Sequence, residues 1–256
     1  MDTRVETLNK LRLRAAGPMA IARRFYLLAG VAIVVISAIG FQEFYLRGRE
    51  FGGTAISPQM LPFVIVHGLA LTAWVVLFLA QTALISSRQR KIHMTLGWCA
   101  AGLGTLIVIS GLLVAVRSVQ ADPLFIFWGM EYRQFLLVML TEISCFAVLL
   151  TVGLLNRKRP VRHRAMMLLA TLSIIAGATL RIPVLFTVFG TVGWEGIFGP
   201  VLVLGAVLLA IRSALLRSLD RWLAVGLAAM AVVFFAAAQV ATSAWWVHAA
   251  HETFGV

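Results

Sequence analysis

The 256-residue chain is 61% hydrophobic and only 12% charged, with a mean hydropathy of +0.95. A polypeptide this apolar takes lipid as its solvent, which excludes a water-soluble globular domain. The net charge of +12 would suit nucleic acid if it lay on a folded basic face, but here it is divided into short patches between apolar runs. That is the pattern of membrane orientation, and it excludes nucleic acid as a partner.

A spanning helix needs about 20 apolar residues. Seven runs qualify, so the chain reads as an all-α integral membrane protein, a seven-transmembrane-helix bundle. A basic segment, residues 1–24, comes first, and the first run extends from about Phe25 to Phe41. Its flank resembles that of a signal peptide, yet a basic region of about 24 residues is longer than such peptides use, and no small-x-small site follows "ISAIG". The helix is therefore read as retained. The second run, Met60 to Ser86, carries His67 and Trp74, and the third, Thr95 to Val116, is preceded by His93. The fourth, Phe135 to Leu155, contains Glu142; the fifth, Ala165 to Phe189, is preceded by His163 and interrupted by Arg181 and Pro183. Ile197 to Leu216 and Trp222 to Val247 complete the set, the last carrying Gln239. Residues 25–247 thus form one transmembrane domain, and residues 248–256 form a short tail holding His248 and His251. Cys99 and Cys145 fall at different depths, so no disulfide is expected.

Cytoplasmic loops retain positive charge. Of the 22 Lys and Arg residues, seventeen fall on the side of the N-terminus, the sixth-to-seventh connection included. Arg47, Arg49, Arg117 and Arg133 fall on the other side, and Arg181 lies within a helix. The N-terminus is therefore expected in the cytoplasm and the C-terminus outside. Interfacial aromatics agree: Tyr45, Trp128, Tyr132, Trp194, Trp245 and Trp246 fall at outer ends, Tyr26, Trp98 and Trp222 at inner ends.

Counting from the outer ends at about 1.5 Å per residue, His67, Glu142, Arg181 and Gln239 come to one level, roughly 10 Å below the outer surface. An ionisable group at such depth costs about 2.5 to 3.5 kcal/mol on insertion scales, so it faces the bundle interior and finds partners. Glu142 and Arg181 occupy consecutive helices at matching depth, which predicts that they pair. Pro183 removes a backbone donor and should kink the fifth helix at the same level. Two readings stay open: a pocket in which these four residues meet a ligand such as a quinone or an anion, or an internal polar clamp that binds nothing.

His93 and His163 stand in "RQRKIHMTLGW" and "RPVRHRAMMLL", a weak internal repeat in which a basic turn and a histidine precede an outgoing helix. If the two hairpins pack side by side, the imidazoles approach each other near the inner surface. Paired histidines on separate helices are the way bis-imidazole haem b is held, with His67 as a further candidate on the outer side. His248 and His251, three apart, are a weak metal-binding pair.

Three stretches carry a resemblance: "HGLALTAWVVLFLAQTALI" from His67, "HMTLG" from His93, and "RHRAMMLLATLSIIAGATLR" from Arg162 to Arg181. They resemble a widespread family of bacterial multi-spanning inner-membrane proteins of unassigned function, over about half the chain. The resemblance implies the bacterial inner membrane and adds no activity. That family commonly has a basic residue after the second histidine, where Met94 stands here. The layout is also similar, more distantly, to transmembrane two-haem cytochrome b reductases. By position His93 and His163 would form one ligand pair, but the fourth helix presents Glu142 where the other pair needs a histidine, so the likeness implies one haem at most.

No phosphate loop, nucleophile elbow, HExxH motif or Schiff-base lysine is present, and no catalytic residue set is legible. Three functional classes follow: a redox or electron-transfer protein binding haem b, a metal or a quinone; a small-solute or proton-coupled transporter; and a structural or assembly subunit whose partner is another membrane protein.

Overall fold

The computed structural model describes residues 23–50, 53, 55–190 and 193–256. Most of the basic N-terminal segment, residues 1–22, lies outside the described residues. Helix α1 (Arg23–Gly40) is followed by α2 (Gln42–Arg47), α3 (Leu61–Ser86), α4 (Arg90–Ala121), α5 (Tyr132–Leu155), α6 (Pro160–Thr179), α7 (Pro183–Phe189), α8 (Gly193–Leu216), α9 (Arg221–Ala241) and α10 (Ala244–Phe254). Between α4 and α5 lies an antiparallel ribbon of β1 (Ile126–Phe127) and β2 (Met130–Glu131). Its two-residue turn is Trp128-Gly129, both at positive φ, as a hairpin of this length requires.

Helices α1, α3, α4, α5, α8 and α9 are each long and apolar enough to cross a bilayer. The chain is an all-α, multi-pass membrane protein. The expected fifth span differs from a kinked rod. Helix α6 ends at Thr179, and α7 leaves at 93° to it. Pro183 is the cause on two counts, since it starts α7 where no backbone donor is required and it disfavours helical geometry at Ile182 before it. Arg181 therefore occupies a break between helices rather than the interior of one. The expected seventh span is likewise divided. It stops at Ala241, and the Ser243 hydroxyl accepts from the Trp246 N–H at 3.2 Å to cap a new helix. Helix α10 packs back on α5 and α9, with Trp246 Nε1 donating to the Arg133 carbonyl at 3.0 Å. Helix α4 runs past its expected ends at both sides, because Arg90 and Lys91 at one end and Ser118 and Gln120 at the other continue the helix beyond its apolar stretch.

The bundle is organised around α6, whose Ala165, Leu168, Leu169, Ala170, Thr171 and Leu172 are all fully buried. A helix covered on every side shows no apolar stripe, which is why its sequence reads as uniformly hydrophobic. It packs against α5, α8 and α9. The α1–α6 approach is closest at Gly40, where a Cβ would overlap the Ala178 carbonyl group. Trp74 of α3 is 2% exposed; its ring meets Phe146 of α5 edge-on at 4.9 Å and its Nε1 donates to Thr171 Oγ1 of α6 at 3.2 Å. One side chain thus joins three helices while satisfying its own donor.

Candidate functional site

At the end of the bundle that carries the arginine-rich turns, the α3–α4 and α5–α6 hairpins stand side by side. Pro160 opens α6, a position where its missing donor costs nothing, and His163 follows one turn later. His93 lies at the matching point of α4. The two rings are brought together as the repeat predicts: their centroids are 6.4 Å apart and their planes cross at 81°.

The spacing discriminates between two kinds of contact. A direct N–H···N hydrogen bond of about 3 Å would hold the centroids at most about 5 Å apart. Two imidazoles on opposite sides of one metal ion, with nitrogen–metal bonds of about 2.0 Å, set them about 6 Å apart. The observed 6.4 Å is too long for the first case and compatible in length with the second.

The tautomers bear on the same question. His163 Nδ1 lies 2.9 Å from the Gly153 carbonyl. A carbonyl only accepts, so Nδ1 carries the proton and the Nε2 lone pair of the neutral ring is left available. The Gln81 side-chain amide rests against His93 Nδ1 and the His93 carbonyl, and in the orientation that satisfies its neighbours its oxygen accepts from the Gly97 N–H at 3.1 Å. In that orientation the amide nitrogen donates to His93 Nδ1, so Nδ1 is the acceptor and the proton of the neutral His93 ring lies on Nε2. His93 also makes a hydrogen bond to the Gln81 backbone, whereas no hydrogen bond is formed by His163 Nε2 among the described residues. The His163 arrangement, one ring nitrogen held by a carbonyl and the other left open, is one that orients ligating histidines.

The surroundings are basic and partly apolar. Arg90 and Lys91 precede His93, Arg157 stacks on Trp98 at 5.7 Å, and Trp98 is 73% exposed. Among the described residues, no group of three or more His, Cys, Asp or Glu side chains is placed to hold a metal ion. A metal held by this pair would therefore have two ligands from the described residues.

The expected outer polar layer is divided in the structure. His67 Nδ1 pairs with Ser110 Oγ of α4 at 3.0 Å, and its ring is seated on Gly111, where a Cβ would lie 3.1 Å from His67 Cε1. Arg181 donates to the Gly177 carbonyl at 2.5 Å, covers the Phe41 ring at 4.9 Å, and lies within electrostatic reach of Tyr132, Glu142 and Glu50. The expected ion pair does not form: no Arg181–Glu142 contact of 4.0 Å or less exists among the described residues, and Glu142 Oε1 is buried without a hydrogen-bond partner. The break after α6 explains this, because Arg181 turns back onto its own helix end. Gln239 is exposed on α9 and takes no part in a buried layer. His248 and His251 are exposed on α10, with no third ligand beside them.

One polar cluster escaped the sequence reading. Arg212 of α8 and Asp220, the cap of α9, form an ion pair at 2.5 Å with side chains 3% and 2% exposed. Arg212 also lies over Phe25 at 5.6 Å and Tyr26 at 5.0 Å, and Arg164 lies over Tyr26 at 5.6 Å. Counting charges places Arg212 with the basic residues of the sixth-to-seventh connection and gives Asp220 no role. The available signal was Asp220 directly before "RWLAVG", a capping residue placed to face back across a four-residue turn.

The fold is that of a multi-pass helical membrane protein in which His93 and His163 lie side by side at the basic end. No protein-family model, curated protein or solved structure matches the chain.

Proposed function

We propose that the protein is a redox protein of the bacterial inner membrane that holds one haem b between His93 and His163. The observation that carries this reading is the imidazole pair itself, 6.4 Å between centroids, with the His163 lone pair left open by the Gly153 carbonyl. Haem fits the donor set because its iron takes four ligands from the porphyrin and needs only two from the protein. Bound there, haem supplies one-electron chemistry. The chain's own residues do the rest: Gly153 and Gln81 orient the rings, and Arg90, Lys91, Arg157 and Arg164 offer cations to carboxylates at the membrane surface. His67, engaged with Ser110, is not a ligand in this reading, which limits the protein to one haem.

The topology proposed with it has seven crossings, α6 and α7 counting together as one broken span, with the basic end in the cytoplasm. Seventeen Lys and Arg residues on that side carry the orientation. Redox partners would be a membrane quinone or another membrane protein.

The test is haem content and absorption of the purified protein from haem-sufficient cells. One haem b per chain, with a Soret band that moves on dithionite reduction and disappears in His93→Ala and in His163→Ala, supports the reading. Protein free of haem and metal in cells that load other b-type proteins overturns it.

A second reading has its own observation. A span broken at Arg181, beside a carboxyl oxygen of Glu142 without a partner, is an arrangement that binds small anions or carries protons in transporters. Uptake or proton flux in proteoliposomes, lost in Arg181→Gln, would favour it over the redox role.

A further inference from the structure

On the outer face of α5 and α9 lies a cavity of about 580 Å³ that plays no part in either reading. Its walls are apolar along most of their length, with Leu140 and Val148 from one helix and Val233 from the other. At the basic end it closes on three polar or amphipathic groups: Asn156, Arg162 and Trp222. The Arg162 guanidinium is stacked on the Trp222 ring at 3.9 Å. That contact fixes the plane of the guanidinium and leaves its edge free. Among the described residues no carboxylate lies within 4.0 Å of it and none accepts a hydrogen bond from it. Five N–H donors are therefore presented at the head of an apolar groove with nothing to neutralise them. The Asn156 amide nitrogen is spent on the Val152 carbonyl at 2.8 Å.

The dimensions identify the occupant. The part walled by both helices runs along α9 from Trp222 to Val233, about 16 Å at roughly 1.5 Å per residue. That is half of a hydrocarbon core of about 30 Å, the depth of one leaflet. Basic pockets between spanning helices at the cytoplasmic surface are binding places for anionic head groups, and a guanidinium matches a phosphate with two parallel hydrogen bonds.

We infer that this groove is a specific site for one anionic phospholipid of the bilayer, its phosphate on Arg162 above Trp222 and one acyl chain between α5 and α9. The site is independent of the histidine pair.

The experiment is native mass spectrometry of the full chain released from nanodiscs made with equal phosphatidylglycerol and phosphatidylcholine, with a prenyl quinone added in a parallel sample. Retention of one phosphatidylglycerol in preference to phosphatidylcholine is expected. In Arg162→Gln the preference should fall about fivefold, the effect of one surface cation on an anionic lipid. Arg162→Lys, which keeps the charge without the fork, should lie between. Ala229→Trp, which fills the groove and leaves Arg162 in place, should abolish retention of either lipid; unchanged melting temperatures show that the variants are folded. An unaltered preference in Arg162→Gln, equal retention of phosphatidylcholine, or displacement of the lipid by the quinone would each overturn the assignment.

Discussion

Replacing Asp220 by Asn removes one charge from a pair buried on both sides. Asp220 Oδ2 sits 2.5 Å from Arg212 Nε, and the two side chains are 2% and 3% exposed. Water cannot reach the guanidinium once its partner is neutral, because the rings of Phe25 and Tyr26 already cover it. Breaking a buried pair from one side costs about 3 to 5 kcal/mol. The helix cap survives, since an Asn oxygen replaces Asp220 Oδ1 as acceptor for the Leu223 N–H, now 3.2 Å away. Asp220→Ala loses the cap too and should cost about 1 kcal/mol more. Removing both charges, with Arg212→Met in the Asp220→Asn background, leaves no orphaned ion and should restore most of the loss. Equilibrium unfolding in mixed detergent micelles, followed by tryptophan fluorescence, measures all four proteins. The reasoning fails if Asp220→Asn unfolds within about 0.5 kcal/mol of the parent, the range of an ordinary surface change.

Four further outcomes are expected. Trp74→Phe keeps most of the ring packing against Phe146 and loses the bond to Thr171, so it should cost about 1 kcal/mol in the same assay, whereas Trp74→Ala should cost about 3 to 5. Gly40→Val sets a branched side chain against the Ala178 backbone, which has no flexible end to move aside; it should lower the melting temperature, and Ala178→Gly should not rescue it because the overlap is with the carbonyl. Glu142 and Arg181 make no direct contact, so a double-mutant cycle of Glu142→Gln with Arg181→Met should give a coupling below about 1 kcal/mol; a larger value would restore the ion pair. Gly111→Val should drive His67 away from Ser110, seen as a changed His67 imidazole resonance by NMR with the bundle still folded.

Much of the fold was legible because its solvent dictates it. An apolar stretch long enough to cross lipid is identified by composition: the first, second, fourth and sixth runs became helices close to where hydropathy placed them, and the third became a helix longer at both ends. Breaks within apolar stretches were harder. Pro183 announced a disturbance, but a proline often kinks a helix mildly, and the size of the 93° turn was not legible from it. At Thr242 and Ser243 the hydropathy hardly changes, so the end of α9 was hidden, although Ser243 before an aromatic helix is a readable cap. The histidine pair was visible as a repeat because two hairpins of the same design place equivalent residues at one level. The polar layer was only half visible. Depth counting puts residues on one plane and says nothing of which way around the helix they point, so Gln239 proved exposed and Glu142 and Arg181 missed each other. Arg212 and Asp220 show the opposite failure: counting charges placed Arg212 with a basic connection and gave Asp220 no role, and the fold buried them under α1.

The central claim is that His93 and His163 would together hold one haem b. Low-temperature electron paramagnetic resonance of the oxidised, purified protein tests it most directly. Two imidazole ligands would give a low-spin ferric haem signal, and that signal should be lost in His163→Ala. A protein with no ferric haem signal, or a haem signal that survives the loss of either histidine, would contradict it.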